Sequence, residues 1–402
     1  MKKYLIIFIF IMGIILGNNN YPIVLIHGFL GWGPDEMGGY KYWGGKNDIA
    51  DLLRQDGHTV FEVSVGPVSS NWDRAIEAYT QLKGGQVDYG KAHSDKFGLI
   101  QKPEGKTYDG LYPKWDENHP VHIIGHSMGG QTARTLQYLL ANLIYEDKEL
   151  EVLEKSPLLW QENLKWIHSI TTIATPHNGT TMAELVTSTF PFVQYFVGLA
   201  GVVGTQFYDF DLEQWNLKRK KDESWSSYVT RMRTHQAWET KNMSSWDASL
   251  DGAKAMNNYA VVSADIFYFS ILTSITEKNA DNYFHSPMPG SPLLIRARAK
   301  ILGSKVGYWH DGTKTDTTWY ENDGLVNTCS MAGPTTGTNG PDPITPLVEK
   351  DLLIPGQWYT IGPLKINHWN IIGHKLILDG LSDTALNLYK SHSLRLKNLP
   401  IF

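Results

Sequence analysis

The sequence contains one cysteine, Cys329, among its 402 residues. A single thiol excludes an internal disulfide and the zinc and iron–sulfur motifs that need several cysteines. The sequence also lacks an excess of positive charge: 36 Lys and Arg against 41 Asp and Glu give a net charge of −5, which disfavours a role in binding nucleic acid. Charged residues make up only 19% of the chain and hydrophobic residues 42%, so the composition is that of a large folded chain stabilised by its core.

Residues 4–16 form an apolar stretch that is too short to span a membrane comfortably. It follows Lys2 and Lys3 and precedes Gly17 and three asparagines. A basic head, a short apolar body and a polar exit are typical of a secretory signal peptide, which we predict over residues 1–20, although no clear small-x-small cleavage pattern follows. An uncleaved anchor is the alternative. Because export without cystines suits a bacterium better than a eukaryotic secretory route, we expect a secreted protein, associated with the cell surface if the segment is not cleaved.

Short runs of branched apolar residues recur along the chain and predict strands that are buried on both faces. These runs cover residues 22–26, 60–65, 121–124, 167–174, 259–263 and, more weakly, 358–361. Stretches with helical periodicity lie between several of them, at residues 48–55, 73–82 and 131–145. Strands that alternate with helices predict an α/β fold whose mostly parallel central sheet is covered by helices on both faces.

Two long insertions interrupt this alternation, at residues 84–118 and at about 175–257. The second holds an apolar segment, residues 190–207, and is too long for a plain crossover between two core strands. We therefore expect it to form a helical cap over the strand ends. The predicted organisation is a single domain over residues 21–402, with no internal repeat.

The strongest chemical signal is a Gly-x-Ser-x-Gly motif around Ser127, within residues 121–131. The motif alone is weak, but an apolar strand precedes it and a helical stretch follows, as a nucleophile elbow requires. Side chains two positions before and after the serine would collide with each other and with the adjoining strand, which explains the glycines. The alternative reading is a Gly-rich turn in which Ser127 caps a helix.

A serine hydroxyl becomes a nucleophile when a histidine takes its proton and an acid orients that histidine. In α/β-hydrolases the chain order is serine, acid, histidine. His368 follows the last predicted strand and is the best candidate for the base, with His374 second. Asp323 is the predicted acid because it lies on a turn before a short apolar segment; an ordinary Asp-Gly turn is the other interpretation. Two further acidic residues are lesser options, Glu321 and Asp316.

The first predicted strand ends in His27-Gly28-Phe29. A turn at this point would aim the backbone N–H of Phe29 at the oxygen that becomes negative in a tetrahedral intermediate, with the N–H of Met128 as its partner. We interpret His27 as a structural group that is hydrogen-bonded beneath the loop.

Longer segments around these residues resemble the secreted true lipases of thermophilic bacilli and staphylococci. The matching segments are PIVLIHGFLGWG (22–33), YWGG (42–45), VGPVSSNWDRA (65–75), VDYGKAH (87–93), residues 122–134, TTIATPHNGTT (171–181), YDFDLEQWNL (208–217) and ENDGLVNT (321–328). The resemblance implies an α/β-hydrolase fold and a serine lipase that hydrolyses triacylglycerol esters through an acyl-enzyme. It implies these roles: nucleophile Ser127, acid Asp323, base His368, and oxyanion donors Phe29 and Met128.

The resemblance also implies a helical lid that moves off the site at a lipid–water interface. The apolar segment 190–207 occupies the lid's place, because such a helix buries apolar surface when closed and offers it to lipid when open. A buried cap helix is the alternative. We expect a lipid ester substrate and no stable protein partner.

The family's zinc site is one place where this sequence departs from the resemblance. Of two aspartates and two histidines, Asp73 and His93 match, whereas Leu99 and Asn242 stand at the other two positions. Leucine is no ligand and neutral asparagine is a poor one for zinc. We therefore expect no stable zinc site, unless a nearby carboxylate substitutes, namely Asp95 or Glu239.

The family's calcium site is the other departure. Its Glu and Asp are replaced here by Asn370 and Lys375, and a lysine would repel the ion. We therefore expect little calcium dependence and no required cofactor. Alternatives to a lipase are a carboxylesterase or phospholipase without interfacial activation, an acyl transferase to an alcohol other than water, and an inactive binding protein with this fold.

Overall fold

A computed structural model describes residues 19–141, 154–160, 162–183, 210–348, 352–374 and 381–401. Residues 1–18 of the predicted signal segment, the apolar segment 190–207 and Lys375 lie outside these residues. Within them, no helix is both long enough and apolar enough to cross a membrane.

The strands of the described chain form one large sheet and two small hairpins. In chain order they are β1 (Ile23–Ile26), β2 (Val60–Val63), β3 (Gly85–Gln86), β4 (Thr107–Tyr108), β5 (Val121–His126), β6 (Ile167–Ile173), β7 (Phe267–Thr273), β8 (Thr276–Lys278), β9 (His285–Pro287), β10 (Ile344–Pro346) and β11 (Trp358–Leu364). The large sheet has the order β10-β11-β7-β6-β5-β1-β2, and every neighbouring pair is parallel. The pairs β3–β4 and β8–β9 are antiparallel.

Helices cover both faces of this sheet. Those of the described residues are α1 (Ile49–Gln55), α2 (Asn71–Lys83), α3 (Lys91–Phe97), α4 (Met128–Ala141), α5 (Trp225–Arg233), α6 (Ser244–Asp247), α7 (Leu250–Asn257), α8 (Leu293–Leu302) and α9 (Asp383–Lys397). One hydrophobic core lies between the sheet and helices α1 and α9, and a second lies between the sheet and helices α2 and α4. Alternate residues of β1 enter the two cores: Leu25 packs in the first and Val24 in the second. The predicted α/β-hydrolase type of fold is confirmed.

The strand predicted at residues 259–263 is wrong. These residues form a turn and loop after α7, and Val261 is 37% exposed. The strand of the sheet is β7, which begins at Phe267, is buried throughout and pairs with β6 on one side and β11 on the other. Both runs are apolar, so local pattern did not separate them; the hydrogen-bond ladders on both sides determine which run joins the sheet.

The two insertions take different forms. Residues 84–118 carry the β3–β4 hairpin and α3. The described part of the predicted cap, residues 210–257, carries α5, α6 and α7 together with short 3₁₀ turns. Because the strands of the sheet are parallel, the loops that follow β1, β5, β6 and β11 all emerge at the same edge, and this edge holds the predicted site.

Candidate active site

Ser127 lies on the sharp turn between β5 and α4. Its φ of 55° is in the left-handed region, which is uncommon for residues other than glycine and recurs at functional sites. A Cβ added to Gly125 would strike the backbone of Gly129, and one added to Gly129 would strike the carbonyl of Ile26. The glycines are therefore required by close backbone approach, as the motif predicts. Among the described residues, the Ser127 hydroxyl accepts no N–H from α4, so the geometry does not favour the helix-cap reading.

The loop after β1 lies directly beside Ser127. A Cβ added to Gly28 would lie 2.8 Å from the Cβ of Ser127. Phe29 and Met128 line the same cavity as Ser127, and their N–H groups have no acceptor among the described residues. Two free backbone donors at the edge of a cavity are suited to receive a developing oxyanion.

His27 is buried beneath this loop. Its Nδ1–H donates to the carbonyl of Gly28 (2.9 Å), and its Nε2 accepts the N–H of Val65 (3.1 Å). The Arg74 guanidinium donates to the backbone carbonyls of His27 and Gly66. Burial, with a smaller contribution from Arg74, lowers the pKa of His27 to about 3. The ring is therefore neutral and serves to hold the loop, as interpreted from the sequence.

Asp323 and His368 are brought together although they lie 45 residues apart. His368 Nδ1 donates to Asp323 Oδ2 at 2.8 Å, and both side chains are buried. Thr273 Oγ1 also donates to Oδ2 (2.8 Å), while the N–H groups of Leu325 and Val326 donate to Oδ1 at 3.0 and 2.8 Å. These donors compensate for removing the carboxylate from water. The Asp-Gly turn is thus real, and its carboxylate also orients a histidine.

The alternative candidates for the base and the acid do not join the pair of Asp323 and His368. His374 Nε2 faces the backbone carbonyls of Lys41 (3.0 Å) and Tyr42 (2.8 Å), and its ring stacks on Trp369. Asp316 caps a 3₁₀ turn by accepting the N–H of Thr318 at 2.9 Å. Neither Asp316 nor Glu321 bonds to His368 among the described residues. The second-ranked base, His374, is therefore a structural residue here.

Thr273 is a residue of the site that the sequence pattern does not indicate. It is the last residue of β7, and the strand predicted at residues 259–263 does not reach it, so its position at the edge of the sheet that holds the site is not apparent from the sequence. A correct strand assignment would have been the signal, because a hydroxyl at the carboxyl end of a central parallel strand points toward the loops that carry the site.

The cavity beside Ser127 is mainly apolar. It encloses about 480 Å³, including space open to solvent. Its apolar lining consists of Phe29, Met128, Pro176, Met182, Ala183, Ala248, Leu325 and Val326. Such a cleft fits a hydrocarbon group placed against the serine hydroxyl.

The residues at the expected zinc position bond to one another. His93 Nε2 lies 2.8 Å from Asp73 Oδ1, and the side-chain amides of Asn242 and Gln214 donate to Asp73 Oδ2 at 3.0 and 3.4 Å. Leu99 packs against the hydrophobic core. In the described part of the chain, no three His, Cys, Asp or Glu side chains are grouped to share an ion. The donor set therefore does not fit zinc, for which one carboxylate and one imidazole are too few.

Among the residues that the structure describes, neither of the possible substitutes, Asp95 and Glu239, belongs to a group of three side chains that could share an ion. Asp95 pairs with Lys91 on the surface, at 2.5 Å. The N–H of Asn370 donates to Asn367 Oδ1 at 2.9 Å, and Lys375 lies outside the described residues.

Sequence and structure comparisons find similar proteins over most of the chain. Residues 19–340 match the family model described as lipase-like, C-terminal domain. Lipase 1 of Staphylococcus aureus (strain MRSA252) is 37% identical over 324 residues, which cover 79% of this chain and 46% of that protein; the chain spans about half the length of the curated relatives it matches. EstA from Clostridium botulinum is 35% identical, with a TM-score of 0.85 over 96% of this chain and 90% of that one. Lipase 1 from Pelosinus fermentans is 38% identical, with a TM-score of 0.81 over 95% of this chain and 100% of that one.

Proposed function

The chain belongs to the lipase-like, C-terminal domain family, and we propose that it is a serine lipase that hydrolyses the carboxylic ester bonds of triacylglycerols. One observation carries the proposal: Ser127, on a strained turn, opens into an apolar cavity at the same sheet edge as the hydrogen-bonded pair of Asp323 and His368. A polar reacting centre beside an apolar cleft is what an ester with a long acyl chain requires.

The proposed reaction passes through an acyl-enzyme. Ser127 Oγ attacks the ester carbonyl while His368 Nε2 takes its proton, and Asp323 holds the Nδ1–H of the resulting imidazolium. The carbonyl oxygen becomes negative and receives hydrogen bonds from the N–H groups of Phe29 and Met128. His368 then gives its proton to the leaving alcohol. Water, deprotonated by the same histidine, attacks the acyl group and releases the fatty acid and free Ser127.

Two further elements of the proposal concern segments of which the structure describes only residues 19 and 20. The apolar segment 190–207 is proposed to be a lid that exposes apolar surface at a lipid–water interface. Residues 1–20 are proposed to be a signal peptide, so that the enzyme acts outside the cell or at its surface. The proposed substrate is a lipid ester, and nothing in the proposal requires a protein partner or nucleic acid.

Acid release measured in a pH-stat tests the substrate class. We expect the purified protein to release acid both from an emulsified long-chain triacylglycerol and from a soluble short-chain ester. The rate with the emulsion should rise with its interfacial area, because a lid of this composition opens where apolar surface is available. Hydrolysis of the soluble ester alone would make the protein a carboxylesterase; acid release from a phospholipid but not from triacylglycerol would make it a phospholipase.

We also propose that neither zinc nor calcium is required. The Asp73 carboxylate is satisfied by His93, Asn242 and Gln214 without an ion. Treatment with a strong chelator is therefore expected to leave both the ester hydrolysis rate and the thermal unfolding midpoint unchanged. In contrast, Asp73→Asn should lower the free energy of unfolding by on the order of 2 kcal/mol, because it replaces one of the two acceptor oxygens of this buried cluster by an NH₂ donor that faces other donors.

Elemental analysis provides the control for the metal proposal. One zinc per chain in the purified protein, together with a lower unfolding midpoint after chelation, would contradict it. Chelated protein can be reloaded with zinc to show that any loss comes from the metal.

A further inference from the structure

Three buried hydrogen bonds connect the last residue of β5 with the loops that follow β1 and β11. The N–H of Gly28 donates to Tyr42 Oη (2.9 Å), Tyr42 Oη lies 2.7 Å from His126 Nδ1, and His126 Nε2 lies 3.0 Å from the backbone carbonyl of His368. Tyr42, His126 and His368 are each at most 2% exposed. We call this set the Tyr42–His126 relay. Water has little access to it, so its geometry depends on these partners.

The direction of every bond in the relay is determined by its two ends. The amide of Gly28 only donates, and the carbonyl of His368 only accepts. Since a neutral histidine has one N–H, Nε2 must carry the proton, Nδ1 must accept, and Tyr42 must donate its hydroxyl proton to Nδ1. Burial, together with the nearby His368, holds the pKa of His126 well below its usual range. The relay therefore has a single arrangement of donors and acceptors.

The relay joins the parts of the site that must keep a fixed spacing. Gly28 precedes the oxyanion donor Phe29, His126 precedes the nucleophile Ser127, and the carbonyl that accepts the last bond belongs to the base. The N–H of His368 is held separately, by the carbonyl of Asp323 at 3.2 Å. The backbone of the base is thus fixed from two sides: the carbonyl of Asp323 accepts its N–H, and His126 Nε2 donates to its carbonyl.

A neutral His126 ring also avoids repulsion with the imidazolium that forms on His368 during the proposed reaction. The rings of His126 and His368 have centroids 4.7 Å apart. When His368 becomes an imidazolium during the reaction, a second positive ring at this distance would oppose it. The Tyr42 hydroxyl donates to Nδ1 and occupies its lone pair, which opposes protonation there, so the relay keeps a neutral ring beside the site of the developing charge.

We propose that Tyr42 and His126 are positioning residues of the ester hydrolysis: they set the distance between the oxyanion donors and the base, and so act on kcat more than on substrate binding. This inference rests on the proposed function. Neither side chain lines the cavity beside Ser127, so the proposal assigns neither of them a contact with the substrate. Small displacements of catalytic groups cost rate steeply, and a hydrogen-bonded relay limits such displacements.

Tyr42→Phe tests the relay because it removes one hydroxyl and keeps the ring. That ring packs against Trp32, with centroids 5.4 Å apart, and this packing should persist. On a soluble short-chain ester we expect kcat to fall by roughly tenfold to a hundredfold, with KM changed by less than about threefold.

The matched control is Tyr268→Phe. The Tyr268 hydroxyl is also buried, accepts the N–H of Ser263 (2.7 Å) and donates to Gln137 Oε1 (2.8 Å), so it has the same hydrogen-bonding pattern away from the site. It should lower the thermal unfolding midpoint about as much as Tyr42→Phe does while leaving kcat within about twofold. Equal kcat values for the two variants would overturn the proposal, since the lost hydroxyl would then be only structural.

A second pair of variants tests the bond to the base. His126→Phe removes both hydrogen bonds, whereas the amide of His126→Gln can still donate toward the His368 carbonyl. We expect the kcat of His126→Gln to be at least about tenfold higher than the kcat of His126→Phe. If the two have the same kcat, the relay does not position the base.

Ser127→Ala, measured in the same assay, separates the two levels of inference. If Ser127→Ala is inactive and Tyr42→Phe has the wild-type kcat, the relay proposal fails and the serine mechanism stands. If Ser127→Ala keeps its activity, the proposed function itself is overturned.

Discussion

Ser127→Ala is expected to lower the rate of ester hydrolysis by roughly 10⁴-fold or more, because the proposed mechanism uses the Ser127 hydroxyl as its nucleophile. A serine-directed phosphonate should label the wild-type protein at one residue and leave the variant unlabelled. The remaining oxyanion donors and the pair of Asp323 and His368 stay in place, so binding of a substrate analogue should change little. Activity above about 1% of wild type would contradict the assignment.

Ser127→Gly is the matched control for folding. The φ of 55° at this position strains any residue with a Cβ, and glycine adopts it without strain. The glycine variant should therefore be at least as stable as wild type and yet as inactive as Ser127→Ala. Two variants that differ in stability and share the same loss of rate would show that the loss is chemical.

Asp323→Asn is expected to lower kcat by roughly 10³- to 10⁴-fold with the fold intact. The two N–H groups of Leu325 and Val326 require an acceptor, so the amide oxygen should take the place of Oδ1 and the amide NH₂ should face His368 and Thr273. His368 Nδ1 would then have to accept a hydrogen bond, and its proton would move to Nε2. The histidine would present an N–H to the serine and be unable to take its proton.

Thr273→Val gives the graded comparison for Asp323→Asn. It removes only one of the hydrogen bonds to Oδ2 and is close in shape, so we expect a loss of about tenfold or less in kcat. The ester hydrolysis rates of both variants should be measured with the unfolding midpoints. If Asp323→Asn keeps the wild-type rate, the acid must be supplied by another residue.

Local sterics explain the part of the site that the sequence indicated well. The glycines around Ser127 are required because the backbones of β1, β5 and α4 meet at the turn. Those clashes act between residues close in sequence or on a neighbouring strand, so a short motif between an apolar run and a helical stretch was sufficient. Local constraints of the same kind predict the turn after β1 and the structural role of His27 beneath it.

A local pattern does not distinguish between two regions of the chain that both carry it. Residues 259–263 and 267–273 are both apolar, and only the second is paired on both sides, so the central strand was misplaced by eight residues and Thr273 was missed with it. His368 and His374 follow the same strand, and the sequence ranked His368 first without excluding His374. They differ by what reaches them through space, which is the Asp323 carboxylate in one case and the backbone of residues 41 and 42 in the other.

The amino-acid sequence by itself therefore determined the fold class and the sharp turn that carries Ser127, and it is the basis of the proposed order of serine, acid and histidine along the chain. The tertiary structure decided which apolar run became the central strand, which histidine reaches a carboxylate, and how Tyr42 and His126 join the oxyanion loop to the base. The physical reason is the range of the interactions. The steric limits of a turn and the burial pattern of a strand are local. The hydrogen bonds of His126 are not: Tyr42 is 84 positions away from it along the chain, and His368 is 242 positions away. Those bonds exist only because the sheet brings the ends of non-consecutive strands to one edge.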